Sequence, residues 1–180
     1  MSLQRSHRAA RSTDSPMTRV ILGAAGGLLS GAAFIALVSW FDTTVGKSDM
    51  APFKAIATIA QGPPPTSSTV WIGMAIHAAL SVIFGVIFAV FTQPLRNNRL
   101  IALAGLLYGG AVYAVDFQVL ARYVHQFSAL LAAPNQPMVF TVHLVFGALL
   151  SLFVMRSTRT ATTAYPSGLQ PESARPRVEH

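Results

Sequence analysis

Residues 70–93 read VWIGMAIHAALSVIFGVIFAVFTQ, a run without a single Lys, Arg, Asp or Glu. Its apolar residues go all the way round a helix, leaving no polar face at period 3.6 of the kind a soluble helix shows. At about 1.5 Å per residue, such a helix crosses the roughly 30 Å hydrocarbon core of a bilayer. Three further segments have the same character: 19–41 (RVILGAAGGLLSGAAFIALVSWF), 99–122 (RLIALAGLLYGGAVYAVDFQVLAR) and 137–156 (PMVFTVHLVFGALLSLFVMR). The expected fold is all-α, an antiparallel four-helix transmembrane bundle.

Composition supports this reading. Only 11% of the 180 residues are charged, against about 25% in an ordinary soluble domain. The charges gather in the tails and in the breaks between apolar runs, as a bilayer demands. The net charge of +7 is spread over span flanks rather than gathered into a patch, which argues against a nucleic-acid partner. Cys is absent, which removes disulfides, thiolate metal sites and cysteine nucleophiles. One membrane domain over 19–156 is expected, flanked by disordered tails at 1–18 and 157–180, the latter rich in Ser, Thr, Pro and Arg. The first span is longer than the 7–15 apolar residues of a signal sequence and is followed by no A-x-A site, so it is read as retained.

Basic residues set the orientation. Ten of the thirteen Lys and Arg lie in the N-terminal tail, the 94–99 turn and the C-terminal tail, while Lys47, Lys54 and Arg122 hold the other two loops. Both termini are therefore expected in the cytoplasm, with Trp40, Phe41 and Trp71 at the outer interface. In the outer loop, DMAPFKAIATIAQGPPP offers Asp49 as N-cap, Pro52 in the first turn and a stop at Gly62 before three prolines. It predicts a short interfacial helix, acting as a structural cover or as a lid. His125, in the next outer loop, reads as an exposed polar residue.

GGLLSGAAFIA (26–36) and AGLLYGGAVYA (104–114) align without gaps. His77 with Phe84-Gly85 echoes His143 with Phe146-Gly147, at a different spacing. Two duplicated hairpins related by an axis along the membrane normal would explain both echoes. Small residues recur every four positions: Gly23, Gly27 and Gly31 in the first span, Gly73, His77, Ser81 and Gly85 in the second, Gly105 and Gly109 in the third, His143, Gly147 and Ser151 in the fourth. Such stripes let helix backbones approach closely. Both histidines are therefore expected on packed faces.

Asp116 stands alone inside the third span. Counted from the outer ends of their spans, Asp116, His77 and His143 share one depth of roughly 10 Å, with Tyr113, Gln118 and Ser39 within about a turn. An intramembrane acid is costly and usually faces a partner inside the bundle. A cluster of His77, Asp116, His143, Gln118 and Tyr113 is therefore expected. It could fix helix register by hydrogen bonding, relay protons, or ligate a metal through His77, His143 and Asp116. Bis-histidine haem ligation by His77 and His143 is a further possibility. G-x-S-x-G, phosphate-loop and dinucleotide fingerprints are absent.

MAPFKAIATIAQGPPP (50–65), followed by IHAALSVIFG (76–85) and HLVFGALL (143–150), resembles a group of small four-span bacterial membrane proteins of unknown function. Some of that group have been labelled as sodium–solute symporter fragments. The resemblance covers most of 20–156 and implies a bacterial cytoplasmic-membrane protein without an established activity. The symporter label fits this chain poorly, because such carriers are far larger and no Gly/Pro-broken span of an ion site is seen. The sequence is thus expected to encode a non-enzymatic multi-pass protein without cofactor. Its expected role is a subunit or accessory of a larger membrane complex, or a small transporter working as a homo-oligomer. The rival is a haem- or metal-binding redox protein.

Overall fold

Each uncharged run becomes a long helix, and the computed structural model describes residues 16–132 and 135–163 of the chain. Helix α1 spans Pro16–Thr44, α2 Ala51–Gln61, α3 Val70–Phe91 and α4 Asn98–Tyr113. The third run continues from α4 through a π-helical turn, Ala114–Leu120, into the short α5, Ala121–Tyr123; a 3-10 segment, His125–Ala132, and α6, Gln136–Thr163, follow. No strand occurs among the described residues. Among the described residues, four helices are long and apolar enough to cross a membrane, the third of them α4 with its π turn and α5. Helix α1 already covers 16–18 and α6 runs on through 157–163; the remainder of both tails expected to be disordered lies outside the described residues.

Polar side chains terminate these helices. Thr43 and Thr44 donate to the carbonyls of Trp40 and Phe41, 2.7 Å each, and Gly46 at φ 77° turns the chain away. Asn97 caps α4 by accepting from Arg99 N at 2.9 Å, and Asn135 caps α6 by accepting from Met138 N at 3.0 Å. Helix α2 starts one residue later than expected: Met50, not Asp49, is its N-cap, no side chain caps it, and the Asp49 carboxylate accepts from Ser48 Oγ at 3.3 Å instead. Gly62 closes α2 in the left-handed region, its N–H reaching Thr58 O at 2.7 Å.

The glycine stripes pair the long helices. A Cβ on Gly23, Gly27 or Gly31 would run into Gly85, Ser81 or Ala89 of α3, and one on Gly105 or Gly147 into the facing backbone of α6 or α4. The contact numbers rise on one helix and fall on the other, so both pairs are antiparallel. The pairs are also equivalent: Gly27 meets Ser81 O as Gly105 meets Gly147 O, and Gly31 lies at His77 as Gly109 lies at His143. Gly147 thus corresponds to Ser81, and the Phe-Gly echo at 84–85 and 146–147 is not an equivalence. Helix α1 also lies along α6, with Gly26 against Phe153.

Two elements cover one end of these helices. Gly73 gives α2 a close approach to α3, with the Phe53 carbonyl where a Cβ would stand. Thr58, fully buried, lies 2.7 Å from Ala55 O and 2.8 Å from Gln126 O, and so ties α2 to the 3-10 segment. The expected interfacial helix is therefore one half of a two-part roof. His125–Ala132 is the other half, in place of a plain loop. Thr58→Val leaves Gln126 O without this donor and is expected to cost about 1–2 kcal/mol. Hydrogen–deuterium exchange checks it: faster exchange across 125–132 is expected, and an unchanged rate there would deny the tie.

Candidate functional site

Beneath the roof lies a cavity of about 240 Å³, lined by residues from α1, α2, α3, α4, the π turn, the 3-10 segment and α6. Most of its wall is apolar and aromatic, including Phe34, Phe41, Phe84, Phe117, Phe127 and Phe146. Its ionisable groups are Asp42, Lys47, His77, Asp116 and His143.

Periodicity explains how each group arrives there. Phe34, Val38 and Asp42 fall four apart on α1 and present one stripe to the cavity. His77 sits on the small-residue face of α3, next to α1, where its Nε2 lies 2.9 Å from the carbonyl of Gly31. A carbonyl oxygen can only accept, so Nε2 carries the hydrogen and Nδ1 of the neutral ring is left as an acceptor. His143, 4% exposed, places Nδ1 2.7 Å from its own helix carbonyl, Val139 O. By the same reasoning Nδ1–H donates and Nε2 is left as the acceptor. Phe34 lies next to both imidazoles, its ring centroid 4.7 Å from that of His143 and 5.8 Å from that of His77. Tyr113 and Phe117 press on His143 edgewise, each at 5.6 Å.

Asp116 occupies the π turn. Seven consecutive residues in i→i+5 hydrogen bonding are rare, and π segments recur at functional sites. This break in the α ladder contains neither Gly nor Pro and was not expected. It turns Asp116 and Phe117 to the cavity together. Among the described residues Asp116 makes no hydrogen bond or ion pair; the expected bond to a histidine is not formed, because both rings are held by backbone carbonyls.

The expected five-residue cluster divides into two. His77, Asp116 and His143 share the cavity. Gln118 instead accepts from Arg122 Nε and Nη2, at 3.1 and 2.9 Å, and donates to Tyr113 Oη at 3.1 Å; Tyr113 in turn donates to Gln136 Oε1 at 3.2 Å. The π turn aligns residues five apart, which brings 113 and 118 together on a face that does not line the cavity. Ser39 does not line it either. No group of three or more His, Cys, Asp or Glu among the described residues is placed to hold a metal ion.

Two ionisable cavity residues were not assigned to the cluster from the sequence. Asp42 reads as a loop residue after Phe41, but α1 runs to Thr44 and the roof folds over it, leaving it 4% exposed with Oδ1 buried and unpaired. The 34–38–42 spacing was the available signal. Lys47 reaches the roof from the other side, its Nζ donating to Ala132 O at 3.1 Å.

No curated protein and no solved structure matches the chain. The expected kinship with proteins of unknown function holds at the level of the family. One family model, described as "Family of unknown function (DUF6789)", matches residues 17–165, taking in all four long helices and every residue of the cavity, and the chain belongs to that family.

Proposed function

We propose that this protein is a non-catalytic, multi-pass protein of the bacterial cytoplasmic membrane, an antiparallel four-helix bundle with both termini in the cytoplasm. Its cavity binds a small molecule on behalf of a larger membrane complex. The membrane assignment is supported by an inverted distribution of apolar surface. Only 22–39% of each apolar window is buried, and Trp71, Phe91, Leu107 and Trp40 are 63–75% exposed. In water that much exposed apolar surface is a liability; in lipid it is the outer wall of the protein.

The observation that carries the ligand-binding reading is the roofed cavity. A dry cavity of about 150 Å³ already holds benzene, and this one is larger. Its mixture of aromatic wall and a few convergent polar groups is that of a small-molecule site.

The test is thermal unfolding of the purified protein in detergent with a small aromatic alcohol, 2-phenylethanol. Binding to the folded state raises the melting temperature by mass action. Ala55→Phe, which adds a ring to the cavity from α2, is expected to unfold at a similar temperature and to lose that response. An alcohol response unchanged by Ala55→Phe would sink the reading, as would a wild type that responds neither to the alcohol nor to its charged analogues. A visible spectrum and elemental analysis test the redox rival. A Soret band or stoichiometric metal that disappears in both His77→Ala and His143→Ala would put haem or metal binding in its place. Carriage of the ligand by a homo-oligomer is distinguished by flux into vesicles reconstituted with the protein alone.

A further inference from the structure

The acids and imidazoles of the cavity all offer it hydrogen-bond acceptors. Backbone carbonyls fix the tautomers of both imidazoles so that His77 offers Nδ1 and His143 offers Nε2 as lone pairs. The carboxylates of Asp42 and Asp116 accept only, and Asp42 Oδ1 is buried without any partner in a side chain 4% exposed. Of the side-chain donors on the lining, Ser81 Oγ donates to His77 O at 2.7 Å and Lys47 Nζ to Ala132 O at 3.1 Å, while Asn135, whose Oδ1 accepts from Met138 N, adds its amide NH2. Lys47 is near enough to attract the Asp42 carboxylate but makes no ion-pair contact with either acid among the described residues. With neutral imidazoles, the two acids and one lysine leave the lining with a net charge of −1.

An unpartnered buried carboxylate is costly unless a cation or donor reaches it. The aromatic wall suits a cation equally well, since the faces of phenyl rings attract positive charge. Resting on the ligand-binding reading above, we infer that the occupant is a small monovalent organic cation: a protonated amine on a compact apolar body. Its ammonium group donates to Asp42 or Asp116 and its charge offsets that of both acids, while its apolar part lies among the phenylalanines. The volume admits one aromatic ring with a short aminoalkyl chain. A divalent metal fits less well, because no three ligating side chains converge among the described residues.

Three probes of nearly one shape and different charge test this by titration calorimetry on the detergent-purified full chain: phenethylammonium, 2-phenylethanol and 3-phenylpropionate. Phenethylammonium is expected to bind at least about tenfold more tightly than the alcohol, and the carboxylate not at all. Asp42→Asn and Asp116→Asn are each expected to bring phenethylammonium down to the affinity of the alcohol, a loss of about tenfold or more. Thermal unfolding in detergent reports that each variant is folded. Equal or tighter binding of the alcohol or the carboxylate by the wild type overturns the cationic inference and leaves the ligand-binding reading standing. So does an undiminished preference for the cation in whichever variant still binds the alcohol. Binding of none of the three overturns both.

Discussion

Gly147→Ala is expected to destabilise the protein by about 2–3 kcal/mol, the usual cost of forcing an extra methyl into a filled seam, and Gly147→Leu to prevent folding altogether. The atoms that a Cβ at 147 would meet are Gly105 O, Gly105 C and Gly109 N. All three are backbone, so no rotamer change can make room, and α4 and α6 would have to separate. Gly110→Ala is the matched control. It lies one residue from the seam residue Gly109, and its Cβ would meet only the ends of the Leu144 and Phe140 side chains, at 3.7 and 3.8 Å. That is ordinary contact, and the gain in helix propensity is up to about 1 kcal/mol, so Gly110→Ala is expected to be neutral or stabilising. Unfolding of both variants in one detergent measures the difference. Equal effects at 110 and 147 would mean that the α4–α6 seam is not the close backbone contact described above.

The contrast also marks what was legible in the sequence. Uncharged runs declare long helices because no other local structure satisfies the backbone of so apolar a segment. The period-four glycines declare the packed faces, and with them the inward placement of His77 and His143. The π turn was not legible: AVDFQVL has the composition of a regular helix, and neither Gly nor Pro marks a break. Its presence changed which residues share a face, bringing Gln118 round to Tyr113 five residues before it; Gln118 and Asp116, two apart, lie on opposite sides of a helix in any case. Asp42 was hidden for a different reason. Its burial depends on two segments far away in sequence, 51–61 and 125–132, folding back over the end of α1, and no local pattern encodes that. The acid that drew attention, Asp116, is half-buried. The one that did not is the more deeply enclosed.

The two hairpins meet each other asymmetrically, and one pair of aligned residues differs in the way this requires. Position 30 of the first hairpin aligns with position 108 of the second, Ser against Tyr. Gly26 and Phe34, a turn either side of Ser30, face Phe153 and His143 of α6, which puts the fully buried Ser30 on the tight α1–α6 seam. Tyr108 takes the equivalent place between α4 and α3. There its ring lies 5.3 Å from that of Phe88, its hydroxyl donates to Phe84 O at 2.9 Å, and the two backbones stay apart. A small residue closes one interface and a large one props the other open, beside the cavity that Phe84 lines. Ser30→Tyr is therefore expected to cost at least about 3 kcal/mol by overpacking, whereas Ser30→Ala, which removes a buried hydroxyl with no partner, is expected to be neutral or stabilising. In the other hairpin, Tyr108→Phe loses one hydrogen bond, about 1 kcal/mol. Tyr108→Ser loses the ring as well and is expected to cost about 3–5 kcal/mol. The order of these four variants in thermal unfolding is the check. If Ser30→Tyr melts with Ser30→Ala, the α1–α6 seam has room for a ring, and the asymmetry that shapes the cavity must come from elsewhere in the chain.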